Sequence, residues 1–346
     1  MDEMSRIDRS AVARSLLKKV GIQKFLDMDG ITEVAVNQGG EIFFERGNGW
    51  ESESVPETTY KNLKALADSL TVFSGLHNTL DAKNPIASVV LPDGERGQII
   101  TAPATEANTI SFTLRKPSKS RFTLADYQNS GRFNKIKEAE AYQKGSIPDY
   151  MQEMKKCQKT GDYVRFFEIA AGHYLNVIAV GGTGSGKTTF AKTYADLFPR
   201  DRRIITLEDV HELSLPYHKN HLHLFFDSDY QKTGGISPKE LIKSAMRMKP
   251  DHLFLTELRG DETWNYFEAL NTGHSGSITS THANDTRATI PRLTTLVMQS
   301  DIGKVLGEAY IQKTLSTSLD VICYFKNTYM TEILFEPEKK LELLYG

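Results

Sequence analysis

The chain is poor in cysteine, in long apolar runs and in excess charge of either sign, and each shortage excludes something. Its two cysteines, Cys157 and Cys323, lie far apart. They are too few for a four-cysteine zinc site and give no reason to expect a disulfide in a reducing compartment. Lysine and arginine number 42 against 44 aspartates and glutamates, a net charge of −2 with a pI near 6.5. No broad basic field is available to hold nucleic acid without regard to sequence. Apolar runs are short, Leu175–Val180 being typical, whereas a membrane-spanning helix needs about 20 such residues. The first residues, MDEMSRIDRS, are charged and carry no apolar signal core. The expectation is a protein that stays in the cytoplasm. What is present is an ordinary globular balance, 39% hydrophobic and 25% charged, in 346 residues, a length that suggests two domains.

Patterning divides the chain in three. Val12, Leu16, Leu17 and Val20 recur at helical spacing within 1–25. Ile31–Val36 and Glu41–Arg46 read as strands joined by Gln38-Gly39-Gly40, and Gly47-Asn48-Gly49 punctuates the second. A helix fits 58–74, with Leu63, Leu66, Leu70 and Phe73 on one face, and short strands fit Ala87–Leu91, Gln98–Thr101 and Thr109–Leu114. Residues 1–116 are therefore expected to form an α+β domain. Residues 117–165 are polar, rich in Lys and Glu and broken by Gly131, Gly145, Pro148 and Gly161, and read as an extended linker with one or two exposed helices. From 166 to 346, strands alternate with helices: Asn176–Val180, Arg203–Leu207, His221–Phe225, His252–Thr256 and Ser277–Thr281, with helices at 186–198, 237–248 and 261–271. Such alternation predicts an α/β domain with a mostly parallel sheet covered on both faces.

At the first of those strand–helix junctions stands GGTGSGKTT, residues 181–189. It fits the Walker A pattern between an apolar strand and a helix. Glycines let successive N–H groups of Gly182, Thr183, Gly184, Ser185 and Gly186 turn toward phosphate oxygens. The helix that follows presents its positive end to the same charge. Lys187 supplies a cation to the β and γ phosphates, the Thr188 hydroxyl suits Mg²⁺, and Thr189 completes the turn. ATP with Mg²⁺ is the expected ligand.

Three further stretches supply candidate partners for a triphosphate. The apolar strand in PDHLFLTELRGD, residues 250–261, ends in Glu257, placed to orient or deprotonate an attacking water. RIITLEDVHEL, residues 203–213, ends in Glu208, Asp209 and Glu212, and clustered carboxylates suit a cation. Glu208 is expected to act on Mg²⁺ through water, and the residues alone leave open whether Glu208 or Glu257 handles the attacking water. In TGHSGSITSTHAND, His274 and His282 flank a Ser/Thr-rich strand, and His282 is a candidate sensor of the γ phosphate. The tract YHKNHLHLF holds His218, His221 and His223, but no acid or cysteine stands beside them in sequence. It does not read as a metal site.

GGTGSGKTT, RIITLEDVHELSLP, MKPDHLFLTELRGDE and TGHSGSITSTHAND follow one another in the order and spacing of the secretion ATPase superfamily. The chain resembles in particular the traffic ATPases of type IV secretion systems, the VirB-eleven class. EIFFERGNGW, DGERGQI and ISFTLRKPS are similar to that class's N-terminal domain, so the resemblance covers almost the whole length. It implies a RecA-like ATPase domain and a homo-hexameric ring of two stacked layers. It further implies other inner-membrane secretion ATPases and channel components as partners, and peripheral association with the cytoplasmic face of the inner membrane. Sequence-specific nucleic-acid binding is not expected. ATP would sit between the two domains, with N-terminal arginines over its phosphates. Arg115 in FTLRKP is the best positional match and Arg96 in GERGQ the next. Where the class often has glycine before the Walker B glutamate, this chain has Thr256, which puts the placement of Glu257 in question. A long linker resembles the branch in which domain pairing between subunits is altered. Type II and pilus motors are related alternatives, the former disfavoured by the absence of paired cysteines. A RecA-like nucleic-acid motor is a more distant one.

Overall fold

The computed structural model describes residues 9–47, 49–118, 121–138 and 143–346. Two sheets organise it. The first is antiparallel and is built from β1 (Ile31–Val36), β2 (Gly40–Arg46), β3 (Gly49–Val55), β4 (Ile86–Val90), β5 (Arg96–Thr101) and β6 (Ile110–Arg115), in the order β3-β2-β1-β6-β5-β4. Helices Arg9–Lys19, Ile22–Asp27 and Tyr60–Phe73 cover one face through Ala13, Leu17, Phe25, Leu63, Leu66 and Leu70. Gly21, at φ 77°, breaks the single helix expected over 1–25 into two. The residues before Arg9 and Asn48 of the expected turn lie outside the described part. In this sheet the strand that patterning misses is β3. Its sequence GWESESV is polar at four successive exposed positions because it is an edge strand, where charge discourages further pairing.

The second sheet comprises β7 (Val177–Gly181), β8 (Ile204–Glu208), β9 (His221–Phe225), β10 (His252–Leu255), β11 (Ile278–Thr281), β12 (Val321–Lys326) and β13 (Tyr329–Leu334). Its order is β13-β12-β7-β11-β10-β8-β9, parallel throughout except for β13. Burial on both faces explains the unbroken apolar runs. Ile178, Val180, Ile205, Leu207, Leu253 and Leu255 enter the core under the helices Pro238–Ala245, Glu262–Asn271, Thr289–Met298 and Glu308–Ser318. Val177, Ala179, Ile204 and Phe254 point the other way, to a second core with Tyr194, Phe166 and Phe167.

That second core also receives Met151, Met154 and Cys157 from the helix Asp149–Thr160. Among the described residues, the stretch expected to be linker through 165 is thus mostly exposed only up to about Pro148, and its last part packs on the C-terminal domain. Two methionines and a cysteine at spacing three make a narrow stripe, easily lost among Lys and Glu.

The domains of one chain touch along β8 and β9. Arg203, fully buried, donates from Nη1 to Asn37 Oδ1 (2.8 Å), from Nη2 to Thr113 Oγ1 (3.1 Å) and from Nε to the Met248 carbonyl (3.1 Å). Its guanidinium also lies over the Trp50 ring. Burial pushes its pKa down to about 10, well above neutrality, so it stays charged. Toward the other end of β9, the Phe225 N–H donates to the Ala104 carbonyl (2.9 Å) and Thr105 Oγ1 to the His223 carbonyl (2.8 Å). Among the described residues, no helix is long and apolar enough to cross a membrane.

Candidate nucleotide site

The site lies where a parallel sheet leaves its strand ends open, at the carboxyl ends of β7, β8, β10 and β11. The backbone turns back from β7 at Gly181, whose φ is 148°, and any Cβ there would fall 2.3 Å from the Phe325 carbonyl oxygen. Gly186, at φ 100°, caps the helix Lys187–Ala195. Only glycine meets both demands without strain. A cleft of about 1030 Å³ opens over this loop.

Inside it, Thr183, Gly184, Ser185, Gly186, Lys187, Thr188 and Thr189 line one wall, and Gly182 contributes its carbonyl. Lys187 is nearly buried. Its Nζ donates to the Gly181 (3.0 Å) and Gly182 (2.8 Å) carbonyls, closing the loop on itself. Burial lowers its pKa. Ser185 Oγ is buried with no hydrogen-bond partner, an orphan polar group of the kind a phosphate oxygen satisfies.

Opposite stands Glu257. Its Oε2 accepts from Arg259 Nη2 (2.7 Å), and its Oε1 lies 2.9 Å from His282 Nε2. The other nitrogen of His282, Nδ1, faces the Gly181 carbonyl at 2.9 Å. His282 thus stands between the phosphate loop and the acid. Thr256, the departure from glycine, is accommodated at the strand end: its N–H and Oγ1 both go to the Leu207 carbonyl, at 3.0 and 3.3 Å.

The acids after β8 separate. Asp209 and Glu212 line the cleft, and Asp209 Oδ2 is 3.3 Å from Arg259 Nη1. Glu208, expected to address Mg²⁺ through water, does not itself line the cleft. Its carboxylate is fully buried. Oε1 accepts from Thr206 Oγ1 (2.5 Å) and lies 3.0 Å from His223 Nδ1, while Oε2 accepts the N–H groups of Glu212 (2.7 Å) and Leu213 (2.8 Å). Burial, the largest single influence, acts to raise its pKa, but these four hydrogen bonds together outweigh it and hold the pKa below the usual value. With both oxygens engaged, Glu208 fixes the turn that delivers Asp209 and Glu212. Arg259 was not among the sequence candidates. Its signal was position alone, two residues beyond Glu257 and so on the same side of an extended strand end. His274 bonds the Pro250 carbonyl and stays out of the cleft.

Arg96 and Arg115 are register partners on β5 and β6, and neither lines the cleft within one chain. Arg115 Nε lies 3.6 Å from Glu33 Oε1. Glu33 is buried, and its Oε2 has no partner. Burial pushes its carboxyl up to about 7, with Arg115 and Lys249 opposing the rise. A carboxyl raised from 4.5 to about 7 on folding carries no penalty below pH 4.5, where folded and unfolded chains both hold the proton. The penalty grows as pH rises and is complete above about 7, on the order of 3 kcal/mol. Glu33→Gln is accordingly expected to raise the denaturation midpoint at pH 8 and to change it little at pH 4.5. Equal effects at the two pH values would show that Glu33 ionises normally.

A phosphate loop, a strand-end acid and a histidine between them on a RecA-like parallel sheet, joined to an α+β domain, define a two-domain P-loop nucleotide-binding protein. The chain belongs to the type II/IV secretion system protein family, whose model matches residues 151–326. It is 37% identical over 331 residues to the type IV secretion system protein VirB11 of Brucella abortus (strain 9-941), covering 93% of this chain and 90% of the relative. It is 34% identical over 346 residues to the VirB11 of Bartonella henselae, with 97% and 96% covered. The crystal structure of the VirB11 ATPase from the Brucella suis type IV secretion system, in complex with sulphate, is similar with a TM-score of 0.89 at 35% identity, over 98% of this chain and 99% of that one.

Proposed function

We propose that this chain is the ATP-hydrolysing motor of a type IV secretion system, working as a homo-hexameric ring against the cytoplasmic face of the inner membrane. The observation that carries the reading is likeness to the VirB11 ATPase of Brucella suis across both domains rather than over the phosphate loop alone.

In this reading ATP lies along residues 182–189. Lys187 gives up the Gly181 and Gly182 carbonyls for the β and γ oxygens. Glu257 orients the attacking water and takes its proton. His282, bonded to the loop and standing against Glu257, registers whether the γ phosphate is present. Arg259 holds Glu257 in place until then. Thr188 and the cleft acids Asp209 and Glu212 are the groups suited to Mg²⁺, which when bound offsets negative charge on the phosphate oxygens. Arg115 and Arg96 reach the phosphates of another subunit in the ring. A partly protonated Glu33 leaves Arg115 free to do so. ATP drives the cycle by binding one domain arrangement better than another, and secretion-channel proteins at the membrane receive the movement.

Steady-state ATP turnover of the purified ring, with and without single-stranded DNA, tests this. Turnover indifferent to DNA is expected, as is a fall of about 10³-fold in Arg115→Ala with the fold intact. Strong stimulation by DNA would favour a nucleic-acid motor. Unchanged turnover in Arg115→Ala would remove that residue from the site.

A further inference from the structure

Behind the nucleotide cleft, the fold assembles a second polar cluster that the hydrolytic reading leaves unused. His223 comes from β9, Glu208 from the end of β8 and His211 from the turn after it. One ligand atom from each of the three lies within 4.8 Å of the others. Sequence placed no acid beside the His218–His223 tract; parallel pairing of β8 with β9 does, at 3.0 Å between His223 Nδ1 and Glu208 Oε1. His218 and His221 turn elsewhere, His218 to the Phe198 carbonyl and His221 to the His218 carbonyl. A fourth oxygen arrives from the N-terminal domain. Glu106 Oε1 stands 4.0 Å from His211 Nδ1, next to the Thr105 contact that already joins the domains.

We propose that Glu208, His211, His223 and Glu106 bind a zinc-class divalent cation that ties the two domains together. Two imidazoles with carboxylates are the ligand chemistry of Zn²⁺. Ligand bonds of about 2.0–2.2 Å set two donors on one ion a little over 3 Å apart, close to the 3.0 Å found between His223 and Glu208. Glu208 is held for the purpose by the Glu212 and Leu213 amides on its other oxygen, the outer-shell support that ligating carboxylates require. The Thr206 hydroxyl, now hydrogen-bonded to both His223 Nδ1 and Glu208 Oε1, yields to the ion. His211 lies on an exposed turn and closes by a short movement. No ligand is shared with the phosphate cleft, but Asp209, next in the chain, lines it. An ion here would restrain the N-terminal domain beside that wall.

The test is calorimetric titration of the untagged full chain with zinc chloride in a magnesium buffer. One ion per chain is expected. His211→Ala and Glu106→Gln, both at half-exposed side chains where folding is not at stake, are each expected to weaken binding at least about tenfold. No zinc uptake by the wild-type chain, or uptake unchanged in His211→Ala, would overturn the site. Affinity unchanged in Glu106→Gln alone would overturn its bridging of the domains.

Discussion

Lys187→Ala is expected to cut ATP turnover by at least about 10²–10³-fold, the range for removing one preorganised charge or donor from a developing anion. Two consequences of the geometry set this size. The ammonium is nearly buried, so its field at the phosphates is little screened by water. It is also the group that holds the loop closed, through the Gly181 and Gly182 carbonyls. Alanine removes the charge and the clasp together, so nucleotide affinity should fall with turnover. Steady-state hydrolysis and the thermal shift given by ATP measure the two effects. Turnover within threefold of wild type would mean that the loop does not cradle the reacting phosphate.

Glu257→Gln is expected to separate what Lys187→Ala joins. Turnover should fall by about 10²–10⁴-fold, the span attributed to a positioned general base, while ATP binding is kept. Glutamine has almost the same shape and still accepts from Arg259, but it cannot take a proton from water. The neighbours of Glu257 explain why the effect should be clean. Arg259 holds one of its oxygens and His282 stands against the other, so the side chain has one orientation and the variant can retain it. Rapid-quench measurement of a single turnover, beside equilibrium binding of ATP, distinguishes lost chemistry from lost binding. Wild-type turnover in this variant would transfer the base to Asp209 or Glu212, the other acids of the cleft.

Both expectations rest on residues legible in the sequence, and the reason is local. A phosphate loop is contiguous, and its glycines answer to backbone angles set within six residues. Glu257 and His282 end strands, so each inherits its position from the apolar run before it. The placement of Glu208 was not legible for a related reason. At a strand end, one residue decides whether a carboxylate faces the cleft or the core, and LEDVHEL offers three acids at that point. The pairing of β8 with β9 made the choice by setting His223 against Glu208. The polar edge strand β3 and the helix Asp149–Thr160 escaped notice because neither has a wide apolar face, one being at an edge and the other covering its core with three side chains.

By itself, then, the sequence determined the α/β class, the parallel sheet and the phosphate loop, since period, glycine placement and strand-end chemistry act over a few residues. Tertiary structure alone decided which acids line the cleft, that Arg96 and Arg115 stay away from it within one chain, and that Arg203 is buried between the domains. It also decided that a histidine tract without a neighbouring acid meets one from the next strand. Each of these depends on residues distant in the chain coming within bonding range, and strand order, which no local pattern encodes, brings them there.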